Sequence, residues 1–207
     1  MSTPSRPSRE ITRIVPDATA LKALAHPVRL RMLGMLRIDG PATATRLAER
    51  LGLNSGATSY HLRQLALHGF IEEMPDQPSR RDRWWQSRHE STSFFENVES
   101  AEEFDSSVAF AQAALTQQVQ LMQQAQDEFT RLPPEWQAAN AISDFTIILT
   151  PDEASALRDK LQALLWEAMR QAPAPGAPVP PGAAPYTVML HAFAYPGRLT
   201  GAKGTKS

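Results

Sequence analysis

Cysteine is absent from the sequence, which excludes disulfides, thiolate metal sites and cysteine nucleophiles together. No apolar run approaches the ~20 residues that a membrane-spanning helix requires. The segment from Met1 to Arg13 is polar and basic with no apolar stretch behind it, unlike a secretory signal, so the expected location is the cytoplasm. A glycine-rich phosphate loop and a nucleophile elbow are both missing. The carboxylate pairs Glu72-Glu73, Glu102-Glu103 and Asp152-Glu153 are sequence neighbours that diverge in space, and they read as solvated or capping groups. An enzyme is therefore not expected. The histidines (His26, His61, His68, His89, His191) show no two-ligand helical spacing with carboxylates, and neither a metal nor another cofactor is expected.

What the chain does have is an uneven charge distribution behind a formal net charge of −1. Residues 1–90 carry 14 Lys/Arg against 9 Asp/Glu, whereas residues 91–207 carry 7 against 13. A basic half joined to an acidic half fits a chain that meets a polyanion at one end. The length of 207 residues leaves room for one ordinary domain and a smaller unit.

Residues 1–16 hold three prolines among Ser, Thr and Arg and read as a loose arm. Asp17 can cap a helix through Leu21 and Leu24, which His26-Pro27 interrupts. A second helix carries Val28, Leu30, Leu33 and Leu36 and stops at Asp39-Gly40-Pro41. Thr43 can cap a third, with Leu47, Ala48 and Leu51 on its buried face and Gly52 at its end. After Leu53-Asn54, a fourth helix is expected from about Ser55 to His68. The pattern then changes to a hairpin: a strand at Phe70–Met74, a turn-rich Pro75–Ser79, and a returning strand at Arg83–Arg88 around Trp84-Trp85. Helix, helix, tight turn, helix, hairpin is the order of a winged helix-turn-helix, expected over residues 17–90.

A long helix is expected from Ser100 to about Leu132, with Phe104, Val108, Ala111, Leu115, Val119, Met122, Ala125 and Phe129 forming one apolar stripe. We assign that stripe to dimerisation, since apolar seams at this spacing are packing faces. Pro133-Pro134 ends the helix. Over residues 143–196 a small strand-helix-strand unit is expected. Its strands are Phe145–Leu149 and Tyr186–Tyr195, paired with each other. Its helix runs from Pro151 to Gln171 behind the Thr150 cap, and a Pro-rich linker spans 172–185. The tail over 197–207 reads as disordered. The fold class is thus mainly α with small β: a winged helix-turn-helix, a long dimerisation helix and a small α+β C-terminal unit.

The chemistry concentrates in residues 43–69. A helix that reads the major groove must be apolar on its docking side, and polar with small residues on the other. Winding residues 55–68 at 100° per residue puts Thr58, Leu62, Leu65 and Ala66 inward, and Gly56, Ala57, Tyr60, Arg63 and Gln64 outward, with Ser59 and His61 on the flanks. Arginine pairs with guanine, glutamine with adenine, and hydroxyls with phosphate or base edges. The expected DNA-contacting set is Thr43, Ser55, Ala57, Ser59, Tyr60, His61, Arg63 and Gln64. Arg80, Arg81 and Arg83 join it from the hairpin tip, where a wing would lie against the sugar-phosphate backbone.

Leu21-Lys22-Ala23-Leu24-Ala25-His26-Pro27-Val28-Arg29-Leu30-Arg31 resembles the opening signature of ArsR-type (arsenic-repressor-like) winged helix regulators. Ala57-Thr58-Ser59-Tyr60-His61-Leu62-Arg63-Gln64-Leu65, followed by Gly69-Phe70-Ile71, resembles their recognition helix and first wing strand. The resemblance covers about residues 17–90. It implies a dimer on an imperfect inverted repeat of double-stranded DNA, usually acting as a repressor, with Ser59, Tyr60, His61 and Arg63 as DNA contacts. The best-known members sense metals through cysteine pairs or His and carboxylate clusters; this chain lacks both, so the metal-sensing part does not carry over. A small-molecule effector stays open, and no membrane partner is expected. The competing expectation is a winged helix used for protein contact, whose C-terminal half binds a partner protein or a small apolar ligand.

Overall fold

The computed structural model of the chain describes residues 8–75, 83–93 and 100–199. It is mainly helical with two small sheets. The N-terminal elements are β1 (Arg13–Ile14), α1 (Ala18–Leu24), α2 (Pro27–Asp39), β2 (Ala42–Thr43), α3 (Ala44–Leu51) and α4 (Ser55–Leu67), then β3 (Ile71–Met74), β4 (Trp84–Ser87) and β5 (Ser91–Thr92). After them come α5 (Ala101–Glu128), a 3-10 turn (Phe129–Arg131), α6 (Pro134–Ala139) and α7 (Pro151–Gln171). No helix among the described residues is long and apolar enough to cross a membrane.

Local chemistry sets the helix boundaries. The Asp17 carboxylate accepts from the Ala20 amide at 2.8 Å and starts α1. His26 starts α2 by accepting from Val28 N–H through Nδ1 at 3.2 Å, with Pro27 in the first position. Thr43 caps α3 by accepting from Arg46 N–H, and Gly52 closes it in the left-handed conformation at φ 64°. Asn54, placed in a turn by its sequence, caps α4 through Oδ1 and the Ala57 amide at 2.8 Å.

Around these helices one core forms from Leu21, Leu24, Met32, Leu33, Leu36, Leu47, Leu62, Leu65, Phe70, Ile71 and Trp85. The hairpin pairs antiparallel, Met74 opposite Trp84 and Ile71 opposite Ser87. Adjacent strand residues face opposite ways, so Trp85 is buried in the core while Trp84, on the other face, is half-buried under Arg46. β2 adds to β4 as a third strand, Ala42 opposite Trp85. Such a two-residue strand carries no alternation from which it could be read.

The loose arm expected over residues 1–16 is tied down from residue 8 on. Arg13 and Ile14 pair in parallel with Ser91 and Thr92, and Arg9 holds Glu90 through two 2.7 Å bonds. An ion pair and a short ladder to a segment nearly eighty residues away give the arm the partners that its polar composition did not reveal.

The long helix α5 docks on α1 and α2 by a face other than the expected stripe. Ser106, Ser107 and Phe110 are its buried residues, and Phe110 joins the core. The two serines let the backbones approach, Ser106 Oγ turning back to Glu102 O at 2.6 Å. Phe104, Val108, Leu115, Val119 and Met122 remain exposed, and Ala111 and Phe129 are half-covered.

The C-terminal expectation requires a correction. Phe145–Leu149 and Tyr186–Tyr195 form neither helix nor strand, and no ladder joins them. Tyr186 ties the start of the second segment to α6, its Oη donating to Ala139 O at 2.8 Å and its ring lying 6.4 Å from that of Trp136. The helix is where its cap predicted, with Thr150 and Glu153 forming a reciprocal capping box, yet none of its 21 residues is buried. Among the described residues nothing covers these segments or holds them in register. The tail from residue 200 lies outside the described residues.

Candidate nucleic-acid interface

The winding expected for α4 is the one observed. Thr58, Leu62 and Leu65 are fully buried and Ala66 packs on the core, so Arg63 and Tyr60 are turned outward. Thr58 is a polar residue in that apolar row, and its hydroxyl donates to Asn54 O at 3.0 Å.

An open cleft of about 470 Å³ lies between α4, the start of α3 and the wing strand β4. Its lining brings together Thr43, Ser55, Ser59, Arg63 and Arg83, five residues of the expected set, with Ala44, Thr45 and Trp85 between them. Arg63 makes no hydrogen bond or ion pair with any described residue. Among the described residues, Arg83 has only a loose contact, 3.6 Å to Glu73, in an exposed pair. Both guanidiniums are therefore available to an anion entering the cleft. Thr43 is buried, and its hydroxyl is engaged as the α3 cap.

The remaining members of the set are placed differently. Tyr60 is about half exposed on the outer face, and Gln64 and Ala57 are half-covered on α4 outside the cleft lining. His61 turns toward α2, its ring 4.7 Å from that of His26. Its Nδ1 is buried without a partner among the described residues. Burial, then His26, then Arg29 hold the His61 imidazole below the usual histidine range. Burial and then Arg29 do the same to His26. The pair is a neutral packing contact between α2 and α4. Arg80 and Arg81 lie outside the described residues.

Sequence reasoning overlooked two features near the cleft. Thr45 stands in the first turn of α3, where backbone amides have no helical partners; Thr43 in capping position was its signal. Arg46 stacks over the outward Trp84 at 4.7 Å and places a third cation beside the wing. A cation and an aromatic 38 positions apart give no periodic signal.

Residues 24–73 match the model of a helix-turn-helix domain. A stretch of 59 residues is 39% identical to the HTH-type transcriptional regulator YgaV of Escherichia coli (strain K12), covering 28% of this chain and 60% of that protein. Another of 54 residues is 44% identical to the HTH-type transcriptional regulator NmtR of Mycobacterium tuberculosis (strain ATCC 25618 / H37Rv), covering 26% of this chain and 44% of that one. The chain thus spans about half the length of these curated relatives. Among solved structures, reduced HlyU from Vibrio cholerae N16961 superposes with a TM-score of 0.31, at 24% identity, over 49% of this chain and 86% of that one.

Proposed function

We propose that this chain is a sequence-specific, double-stranded-DNA-binding transcriptional regulator of the ArsR type, acting in the cytoplasm as a homodimeric repressor on an inverted repeat. The observation that carries the proposal is the cleft in which Arg63 on α4, unpaired among the described residues, and Arg83 on the wing, loosely paired among them, stand with Ser55 and Ser59. In this reading α4 enters the major groove. Arg63 and Tyr60 reach base edges, while Ser55, Ser59 and the wing cations hold phosphates. Two copies are required because one α4 reads only a few base pairs, and joining two multiplies affinity and specificity. The exposed α5 stripe, with Leu115, Val119 and Met122 at helical spacing, supplies the seam. The matched helix-turn-helix domain and the regulators named above support the reading.

The test is retrieval of short genomic DNA fragments by the purified protein across a salt series. An enriched inverted repeat, bound with an affinity that falls steeply as salt rises, is the expected result. Binding without an enriched sequence sinks sequence specificity. Absence of binding at low salt sinks DNA recognition altogether.

A further inference from the structure

Beyond the winged core the chain leaves an unusual amount of apolar surface uncovered. α7 has no buried residue, and Leu157, Leu161 and Leu164 on it are exposed. In the segments 145–149 and 186–195, Ile148 is 100% exposed, Phe145 83% and Phe193 76%. Among the described residues, no backbone group of 141–149 or 184–194 hydrogen-bonds to another backbone group. Yet Phe145-Thr146-Ile147-Ile148-Leu149 and Tyr186-Thr187-Val188-Met189-Leu190 are rich in the β-branched and aromatic residues that sheets favour. An exposed, apolar, unpaired extended segment is a template for pairing with another chain.

The area involved is large. The chain exposes 15324 Å², whereas a compact protein of 22.9 kDa exposes about 9,600 Å². Residues outside the described set carry part of the difference, but a stable interface needs only about 800 Å² from each partner. α7 is anchored to the winged unit at one end. Arg9 fixes its C-terminal end, its amide donating to Arg170 O at 3.1 Å and its Nε to Ala172 O at 2.9 Å. The following turn abuts the winged unit so closely that a Cβ on Gly40 would fall 2.7 Å from Gly176 Cα.

We infer that residues 145–149 and 186–195, with the leucine face of α7, form an arm that docks on a second copy of this chain, pairing with the same two segments of that copy and covering the C-terminal half of its α5. Every copy offers both halves of the contact, the unpaired edges and the uncovered helix faces, which is the condition for a closed two-fold interface. Charge does not oppose pairing of the two segments between two acidic halves: Asp144 is the single acid in 141–149, and 186–195 contains no Asp, Glu, Lys or Arg. The arm deepens the homodimer reading given above and rests on it.

The experiment combines sedimentation of the full chain with hydrogen exchange of the amides of 145–149 and 187–195. The expected result is a dimer in which these amides exchange on the order of a hundredfold more slowly than in an unstructured chain. A dimer whose arm amides exchange at unprotected rates overturns the arm and leaves dimerisation through α5 standing. A monomer at tens of micromolar overturns the homodimer reading and the arm with it. Protection in a monomer overturns the second copy as occupant. Ile148→Asp provides the second check, because Ile148 touches nothing that the winged core needs. The substitution should weaken dimerisation at least about tenfold while the thermal unfolding of the winged core stays in place; undiminished dimerisation overturns the arm.

Discussion

The guanidinium of Arg9 holds both carboxylate oxygens of Glu90 at 2.7 Å while its Nε reaches Ala172 O at 2.9 Å. One side chain thus joins the N-terminal arm, the strand that leaves the wing and the C-terminus of α7. The pair is well covered, its side chains being 25% and 15% exposed, so bidentate geometry counts for more here than in a surface ion pair.

Replacing Arg9 by alanine should lower stability by about 1–3 kcal/mol, because the largely covered Glu90 carboxylate is left without its partner. The midpoint of urea unfolding reads the loss. Exchange of the amides near 168–172 should accelerate at the same time; unchanged exchange there would mean that Arg9 does not anchor α7.

Arg63 and Arg83 should fail in different ways on DNA. Arg63→Ala should cost about 1–3 kcal/mol and relax discrimination at one base position, as for a base-reading arginine. Arg83→Ala should weaken binding to all sequences alike and reduce the salt slope by about one. Anisotropy titrations on the enriched repeat and on a scrambled duplex separate the two, and identical behaviour of both variants would contradict the roles given to helix and wing.

The histidine pair should make stability fall in mild acid. Burial and Arg29 lower His26, and burial, His26 and Arg29 lower His61. Below the ordinary histidine value the unfolded chain therefore binds more protons than the folded one. The stabilisation is complete above about pH 6.5 and is lost as pH falls through the folded values. Protonation would also take the lone pair by which His26 Nδ1 caps α2. His26→Asn keeps a capping acceptor but does not titrate, so it should reduce the dependence of the unfolding midpoint on pH; His61, still lowered by burial and Arg29, and His89, lowered by burial and then by Arg88 and Arg37, supply a residual slope.

Two glycines with positive φ should respond unequally to alanine. Gly52, at φ 64°, faces open space, and Gly52→Ala should cost only the left-handed penalty of about 1–2 kcal/mol. Gly40, at φ 82°, would press a Cβ against Gly176, where the near atom is backbone and cannot swing away. Gly40→Ala should be the more damaging in thermal unfolding, and equal losses would show that the turn at Gly176 does not press on α2's end.

The sequence by itself determined what depends on neighbours a few positions apart. Asp17, Thr43, Gly52 and Thr150 mark helix ends because a cap acts within one turn, and Thr58, Leu62 and Leu65 share a face because a helix turns 100° per residue. That was enough to orient Arg63 and to order the elements of the winged unit. Tertiary structure alone decided what depends on separation in the chain. Phe110 and two serines, rather than the regular stripe from Phe104 on, carry α5 against the core, since the choice between two faces lies with the helix opposite. His61 meets His26 instead of the cleft, β2 extends the wing sheet with two residues, and Arg9 finds Glu90 across 81 positions. The segments at 145–149 and 186–195 have strand composition without a strand partner, because composition favours an extended backbone but only a neighbouring edge can complete its hydrogen bonds.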